Sequence, residues 1–135
     1  MPEPGVALSR EVIFAERKFV ATPMAMGLRI GGAAEFAGLT AAANYQRCAA
    51  LLRLAKIYFP ALQTDGGTQW MGHRPSTPDS LPVISRSPRH GNTFYAFGHG
   101  HLGLTQAATT GRLIAELACG DTPSIDLQPF SVERF

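Results

Sequence analysis

Apolar and polar positions alternate in the first third of the chain, and this period of two predicts β-strands. Val12–Phe14 and Lys18–Thr22 precede a turn at Pro23–Gly27, and the return strand runs over Leu28–Phe36. One face of that return strand is apolar and the other is small and polar; the apolar face consists of Leu28, Ile30, Ala34 and Phe36. The pair Gly31-Gly32 marks either a bulge or a place where another backbone or a flat ligand comes close.

A spacing of three and four residues replaces the alternation between Ala41 and Phe59 and predicts an amphipathic helix that Pro60 ends. Its predicted apolar face consists of Tyr45, Cys48, Leu52, Ala55 and Phe59. A helix lying on a membrane surface would have a similar pattern. The few basic residues form no broad cationic face, which favours a helix packed on a core.

The second half of the chain combines a long loop with a strand, a glycine-rich turn and a helix. Pro, Ser and Gly are dense over Trp70–Pro88, which predicts an ordered loop with one extended piece at Leu81–Ile84. A strand at Thr93–Phe97 precedes the turn, and Gly120 ends the helix that follows. The predicted face of that helix consists of Ala107, Gly111, Ile114 and Ala118. The fold class predicted is α+β: an antiparallel hairpin, two amphipathic helices and a strand–turn–helix unit. The tail, Asp126–Phe135, is expected to lie against the body.

Composition restricts the classes of protein that the chain can belong to. Its 135 residues fit one domain, 1–135, and its 16% charged residues fall below the roughly 25% typical of soluble domains, which indicates surface that becomes covered. A net charge of +2 without a cluster of Lys and Arg argues against nucleic acid as a partner. Cys48 and Cys119 lie far apart, so neither a disulfide framework nor a zinc site is expected. No signal peptide and no run of about 18 apolar residues is present, so we expect a cytoplasmic protein without a transmembrane segment.

The turn between the strand and the second helix has the form of a ligand-binding element. Free backbone N–H groups and the positive end of a helix dipole face outward in such a turn. Gly98, Gly100 and Gly103 remove side chains from that approach, and Thr105 is placed to cap the helix. A tight turn after a buried strand gives the same pattern, so the turn alone leaves both interpretations open.

Arg74 is the candidate for binding an anionic substrate. Its planar guanidinium can hold a carboxylate through two parallel hydrogen bonds, and Pro75 and Pro78 would stiffen the loop around it. Pairing of Arg74 with Asp79 on the surface is the alternative, and residue type alone favours it.

Metal and hydrolase chemistry are not expected. His73, His90, His99 and His101 are the four histidines, and two of them, His99 and His101, could reach one ion. No Asp, Glu or Cys lies nearby in the sequence to complete a ligand set, so no metal site is predicted. No serine lies in a G-x-S-x-G elbow.

Several motifs follow one another along the chain: the segment ATPMAMGLRIGGAAEFAGL, a Trp-x-Gly-x-Arg-Pro-x-Thr-Pro-Asp loop, Leu-Pro-Val-Ile, Gly-His-Gly-His-Leu-Gly-Leu-Thr, and a closing Pro-Phe-x-x-x-Arg-Phe. In this order they resemble the carboxyl-terminal segment of FAD-dependent D-amino-acid dehydrogenases and of the wider D-amino-acid oxidase superfamily. The resemblance implies a substrate-domain hairpin over 1–40. It also implies a helix, an arginine loop and a flavin-facing strand–turn–helix over 41–135.

The resemblance also implies site residues and a reaction. Arg74 stands where the family binds the substrate α-carboxylate, and Gly103, Leu104 and Thr105 stand where main-chain groups meet the pyrimidine end of the flavin. Gly98, His99 and Gly100 would line the same ring system. The implied cofactor is FAD, and the implied reaction is oxidative deamination of an amino acid to a 2-oxo acid without a catalytic acid or base.

Departures from the family pattern leave a second hypothesis open. Ser85 stands where many relatives have glycine, and Gly32-Ala33-Ala34 replaces a more usual Gly-Thr-x. The nucleotide-binding βαβ unit with its G-x-G-x-x-G motif is not found, so we expect a truncated chain whose own activity is in doubt. The alternatives are pairing with a missing amino-terminal half and a non-catalytic remnant that self-associates or binds a small carboxylate. For a member of this family, attachment to the periphery of the inner membrane is a further expectation.

Overall fold

A computed structural model describes all residues, 1–135, as two compact units. Unit 1 comprises Met1–Gly72 and unit 2 comprises His73–Phe135. Both units combine antiparallel strands with one helix, so the predicted α+β class is confirmed. The expectation that 1–135 forms a single domain stays a prediction.

A three-stranded antiparallel sheet in the order β1–β2–β3 forms the framework of unit 1. The strands are β1, Val12–Phe14; β2, Phe19–Met24; and β3, Gly27–Gly31. The predicted turn at Pro23–Gly27 is too long, because Pro23 lies in β2 opposite Leu28 and only two residues connect β2 with β3.

The last strand of this sheet also ends earlier than the alternation indicates. Beyond Gly31 the backbone turns at Gly32, whose φ is +147°, and the carbonyl of Lys18 occupies the space of a Gly32 side chain. Of the two interpretations of these glycines, the close approach of another backbone therefore accounts for Gly32. Phe36, predicted on the apolar face, lies outside the strand and is fully exposed.

Helix α1, Gln46–Tyr58, packs on this sheet. Ala55 is fully buried, and Leu51, Leu54 and Phe59 pack against the core that Phe19, Ala21, Leu28 and Leu62 form with it. Ala55 and Phe59 were predicted to face inward, whereas Leu51 and Leu54 were not, so the buried face is rotated from the predicted one. The rings of Phe14 and Phe19 stack with centroids 4.3 Å apart.

In unit 2 a hairpin packs against a longer helix. Strand β4, Val83–Arg86, pairs antiparallel with β5, Phe94–Phe97, and helix α2, Gly103–Cys119, lies against both. Gly120 ends α2 in the left-handed conformation, as predicted. The core of the unit consists of Val83, Ile84, Leu113 and the polar residues Ser87 and Thr110.

The predicted inner face of α2 is wrong. Ala107, Gly111 and Ala118 are exposed, and the residues that face the hairpin are Thr110 and Leu113. The hydroxyl of Thr110 is bonded to His99, which removes the cost of burying this polar residue. Because Thr110 is polar, the spacing of apolar residues could not identify the face of α2 that packs on the hairpin.

After α2 the tail forms two short 3₁₀ turns, Gln128–Phe130 and Val132–Arg134, which lie against β4. The N–H group of Val132 donates to the hydroxyl of Ser85 over 3.2 Å. The side chain of Ser85 therefore anchors the tail.

Each unit carries one unpaired cysteine. Cys48 on α1 is half-buried, and Cys119 at the end of α2 is exposed. Neither α1 nor α2 combines the length and apolar character that a membrane span requires.

Candidate functional site

The loop that carries Arg74 is joined to the glycine turn by the backbone. The N–H group of Gly100 donates to the carbonyl of Pro75 over 2.9 Å, and Ser76 forms an antiparallel bridge with His99. Arg74 is exposed and makes no ion pair or side-chain hydrogen bond. The backbone of Arg74 thus lies one residue from the contact between the loop and the turn.

Asp79, the alternative partner of Arg74, is bound by a different arginine. The Nε of Arg134 lies 2.6 Å from Oδ2 of Asp79, and its Nη2 lies 3.2 Å from Oδ1. The hydrogen bond from Arg134, together with the bond from the Leu81 N–H, holds the pKa of Asp79 well below its ordinary range. Surface pairing of Arg74 with Asp79 is therefore excluded in this structure.

The three glycines of the turn have different surroundings. Gly98 is buried at φ +82°, and a side chain there would lie 2.6 Å from the Thr77 methyl carbon, so its small size lets the Arg74 loop pack. Gly100 has φ +55° with only the Ser76 hydroxyl oxygen near, at 3.5 Å. Gly103, the first residue of α2, has only the Cβ of His99 within 4 Å, at 3.6 Å.

The amino end of α2 has no internal cap. The residue before the helix, Leu102, makes no side-chain capping bond, and no acidic residue lies in the first turn. The prediction that Thr105 caps the helix is wrong, because α2 begins two residues earlier, at Gly103. The N–H groups of Gly103, Leu104 and Thr105 consequently have no backbone or side-chain acceptor, since the first bond into the helix is that of Gln106.

These amides fit the electron-rich end of a flavin. Three unpaired donors at the positive end of a 17-residue helix favour a ligand that offers carbonyl oxygens and negative charge. Gly103 adds no side chain in front of them. The backbone at Gly100, Gly103, Leu104 and Thr105 is thus chemically suited to a ring that carries carbonyl oxygens.

The side chain of His99 is directed to the helix. Its Nε2 lies 2.9 Å from the hydroxyl oxygen of Thr110, two turns along α2. This bond fixes the glycine turn relative to the helix and uses one of the two ring nitrogens of His99. The backbone of His99 and its other ring nitrogen take no part in this bond.

Sequence reasoning missed two residues of this region, Arg134 and Thr110. Arg134 belongs to the closing Pro-Phe-x-x-x-Arg-Phe motif, which was recognised without a role for its charge. The sequence offered one indication that Arg134 pairs with Asp79, namely a basic side chain in the closing motif and an acidic one in the Arg74 loop. No pattern in the sequence distinguished Thr110 from the other threonines of α2.

Two clefts of unit 1 lie away from these residues. Two open clefts of about 450 and 320 Å³ occur in unit 1, and neither contains a predicted site residue. The candidate site of unit 2 is an exposed surface in front of the glycine turn.

Comparison with known proteins decides the family. The family model described as FAD dependent oxidoreductase matches residues 2–117. The chain belongs to this family of FAD-dependent oxidoreductases. The resemblance found in the sequence is therefore confirmed, and FAD is the cofactor of the family.

Individual members of the FAD-dependent oxidoreductase family match over most of the chain. A D-amino-acid oxidase from Bradyrhizobium diazoefficiens is 43% identical over 99% of this chain. A D-amino acid dehydrogenase from Methylobacterium radiotolerans is 38% identical over 87%. The crystal structure of glycine oxidase from Geobacillus kaustophilus superimposes with a TM-score of 0.67 at 26% identity over 90% of the chain. The chain spans about a third of the length of these relatives, namely 32%, 28% and 34%.

Proposed function

We propose that this chain supplies the substrate-binding arginine and part of the flavin-binding surface of an oxidoreductase that deaminates D-amino acids to 2-oxo acids. The names of two relatives, a D-amino-acid oxidase and a D-amino acid dehydrogenase, support this substrate class. The partner that we propose is the amino-terminal portion of such an enzyme, since the chain corresponds to about a third of each relative. The unpaired thiols Cys48 and Cys119 support a reducing, cytoplasmic compartment.

The observation that carries the proposal is the unpaired state of Arg74 beside an uncapped helix. Asp79 cannot neutralise Arg74 because Arg134 holds it, so the full guanidinium fork is available to a carboxylate. The Gly100–Pro75 hydrogen bond keeps the arginine loop at the turn that leads into α2. A substrate anion and a flavin would thus both meet donors within unit 2.

The residues of this chain would bind and orient the reactants. Two N–H groups of Arg74 would donate to the two oxygens of the α-carboxylate. The free amides of Gly103, Leu104 and Thr105 would donate to the pyrimidine oxygens and favour negative charge there. When bound, FAD supplies the acceptor for the hydride of the substrate α-carbon, and hydrolysis of the resulting imine yields the 2-oxo acid. No acid or base from this chain is required.

Flavin fluorescence provides the test. The chain is titrated with FAD alone and after mixing with the separately expressed amino-terminal two thirds or so of the D-amino-acid oxidase relative. We expect the mixture to bind FAD and to reduce it when D-amino acids are added anaerobically. Absence of both flavin binding and D-amino-acid oxidation in the mixture would contradict the proposal.

A second function is favoured by the exposed apolar side chains. Leu104 on α2 is 94% exposed, Phe36 is 100% exposed and Ile57 on α1 is 72% exposed. Such surface favours association with another chain, including a second copy. The alternative is therefore a non-catalytic remnant that self-associates. Sedimentation at several concentrations distinguishes it, because a monomer at every concentration would exclude this alternative.

A further inference from the structure

The guanidinium of Arg134 makes four hydrogen bonds. Nε and Nη2 donate to the two carboxylate oxygens of Asp79, over 2.6 and 3.2 Å. Nη2 also donates to the carbonyl of Leu81 over 2.7 Å, and Nη1 donates to that of Ser131 over 2.8 Å. The side chain is 15% exposed, and it lies over the ring of Phe135 at 4.4 Å. Its fork-like, bidentate geometry is typical of an arginine with a fixed position.

The segment that Arg134 holds is a strained turn. Ser80 has φ +62°, in the left-handed region that residues other than glycine rarely adopt. Three bonds within the turn oppose relaxation: Ser80 N–H to the Thr77 carbonyl, Thr77 hydroxyl to the Leu81 carbonyl, and Leu81 N–H to Oδ1 of Asp79. Two of the acceptors, Asp79 and the Leu81 carbonyl, are those that Arg134 also binds. Arg134 therefore completes the network that stabilises the strained conformation.

The same turn continues into the loop that carries Arg74. The methyl group of Thr77 lies where Gly98 leaves room for it. The Pro75 carbonyl accepts the hydrogen bond from Gly100. The segment 75–81 is thus fixed at one end to the glycine turn and at the other end to the tail.

We propose that Arg134 is a positioning residue for Arg74, holding segment 75–81 so that the Pro75 carbonyl stays bonded to Gly100. The inference rests on the proposed function only in that Arg74 binds a carboxylate. Arg134 itself is not placed in contact with a ligand.

Amide hydrogen exchange of the full chain, followed by NMR, tests the positioning directly. In R134Q we expect the Gly100 N–H to exchange about tenfold faster or more, as for the loss of a charge-assisted hydrogen bond. D79N should act in the same direction, and R134K, which keeps the charge but loses the fork, should fall between R134Q and the wild type. The reference amide is that of Ser87, which donates to the Thr93 carbonyl at the far end of the hairpin.

The outcomes separate positioning from general destabilisation. Unchanged Gly100 exchange in R134Q would overturn the inference, and so would equal acceleration at Gly100 and Ser87. R112Q is the matched control, since Arg112 is 60% exposed and pairs with Glu116 on the outside of α2. It should leave both amides unchanged.

A titration with a carboxylate then tests whether the positioning by Arg134 affects binding at Arg74. Acetate is added while the Nε–H resonance of Arg74 is followed, and we expect R134Q to weaken the response about tenfold. A response of undiminished affinity in R134Q would contradict the inference. Absence of any response in the wild type would count against carboxylate binding by Arg74, which belongs to the proposed function, while the exchange measurement would still decide the role of Arg134.

Discussion

Unit 2 contains two arginines of the family motifs, and only one of them has a carboxylate partner. Arg134 is bound to Asp79 and is largely covered, whereas Arg74 is exposed and unpaired. Because no carboxylate of the chain pairs with Arg74, all the N–H donors of its guanidinium are available to a ligand. The free guanidinium is the residue-scale feature on which substrate recognition would depend.

Replacement of Arg74 by Lys should weaken carboxylate binding about tenfold, because the ammonium keeps the charge but cannot form two parallel hydrogen bonds. Titration with a D-amino acid in the mixture with the amino-terminal portion of the relative measures the effect. R112K is the control, as it makes the same exchange on the outer surface of α2. Equal affinity in R74K and the wild type would mean that Arg74 has no role in binding.

At the scale of elements, replacing two glycines of unit 2 by alanine should change the stability of the unit in opposite directions. Gly98→Ala combines a positive φ with a methyl carbon 2.6 Å from Thr77, so it should destabilise unit 2 by about 1–3 kcal/mol. Gly111 lies in the middle of α2 on its exposed side, and a Cβ there would have nothing within 4 Å. Gly111→Ala should therefore raise the free energy of unfolding by about 0.5–1 kcal/mol, because alanine favours the helix over glycine. Urea unfolding measures both, and changes of equal sign would contradict the described surroundings.

The packing of α2 on the hairpin depends on Leu113, which is 1% exposed. Leu113→Ala should lower the free energy of unfolding by about 2–5 kcal/mol, since it leaves a cavity in the core. Leu104→Ala is the matched control, because Leu104 is 94% exposed and its loss should cost within about 0.5 kcal/mol. Similar urea midpoints for the two variants would show that α2 packs through another face.

The sequence predicted which elements exist better than it predicted which faces they bury. The spacing of apolar residues predicted both helices, and the extended piece at Leu81–Ile84 and the strand at Thr93–Phe97 lie within two residues of the observed β4 and β5. It failed where tertiary contacts decide, because Thr110 is buried through its bond to His99. The family motifs named Arg74, but the pairing of Asp79 with Arg134 joins residues 55 positions apart and follows from no local pattern.

At the scale of the whole molecule, acid should weaken unit 2 through Asp79. The bond from Arg134 lowers the pKa of Asp79 in the folded state, so this pair contributes fully above the unfolded pKa, about 4. As the pH falls below that value, the unfolded chain binds a proton first and the contribution is progressively lost. The difference in stability between the wild type and D79N should therefore be constant above about pH 5 and shrink below about pH 4.

Urea unfolding of both proteins between neutral and acidic pH measures this difference. Other carboxylates titrate in both proteins alike, so their effects cancel. Parallel stability curves down to the lowest accessible pH would contradict a stabilising pair at Asp79.

The unequal exposure of the two thiols supplies a built-in reporter for each part of the chain. Cys119 should react with a maleimide faster than Cys48, because Cys119 is exposed whereas Cys48 on α1 is half-buried. The ratio of the two rates, resolved by mass spectrometry, would report how well α1 shields Cys48 without any engineered label.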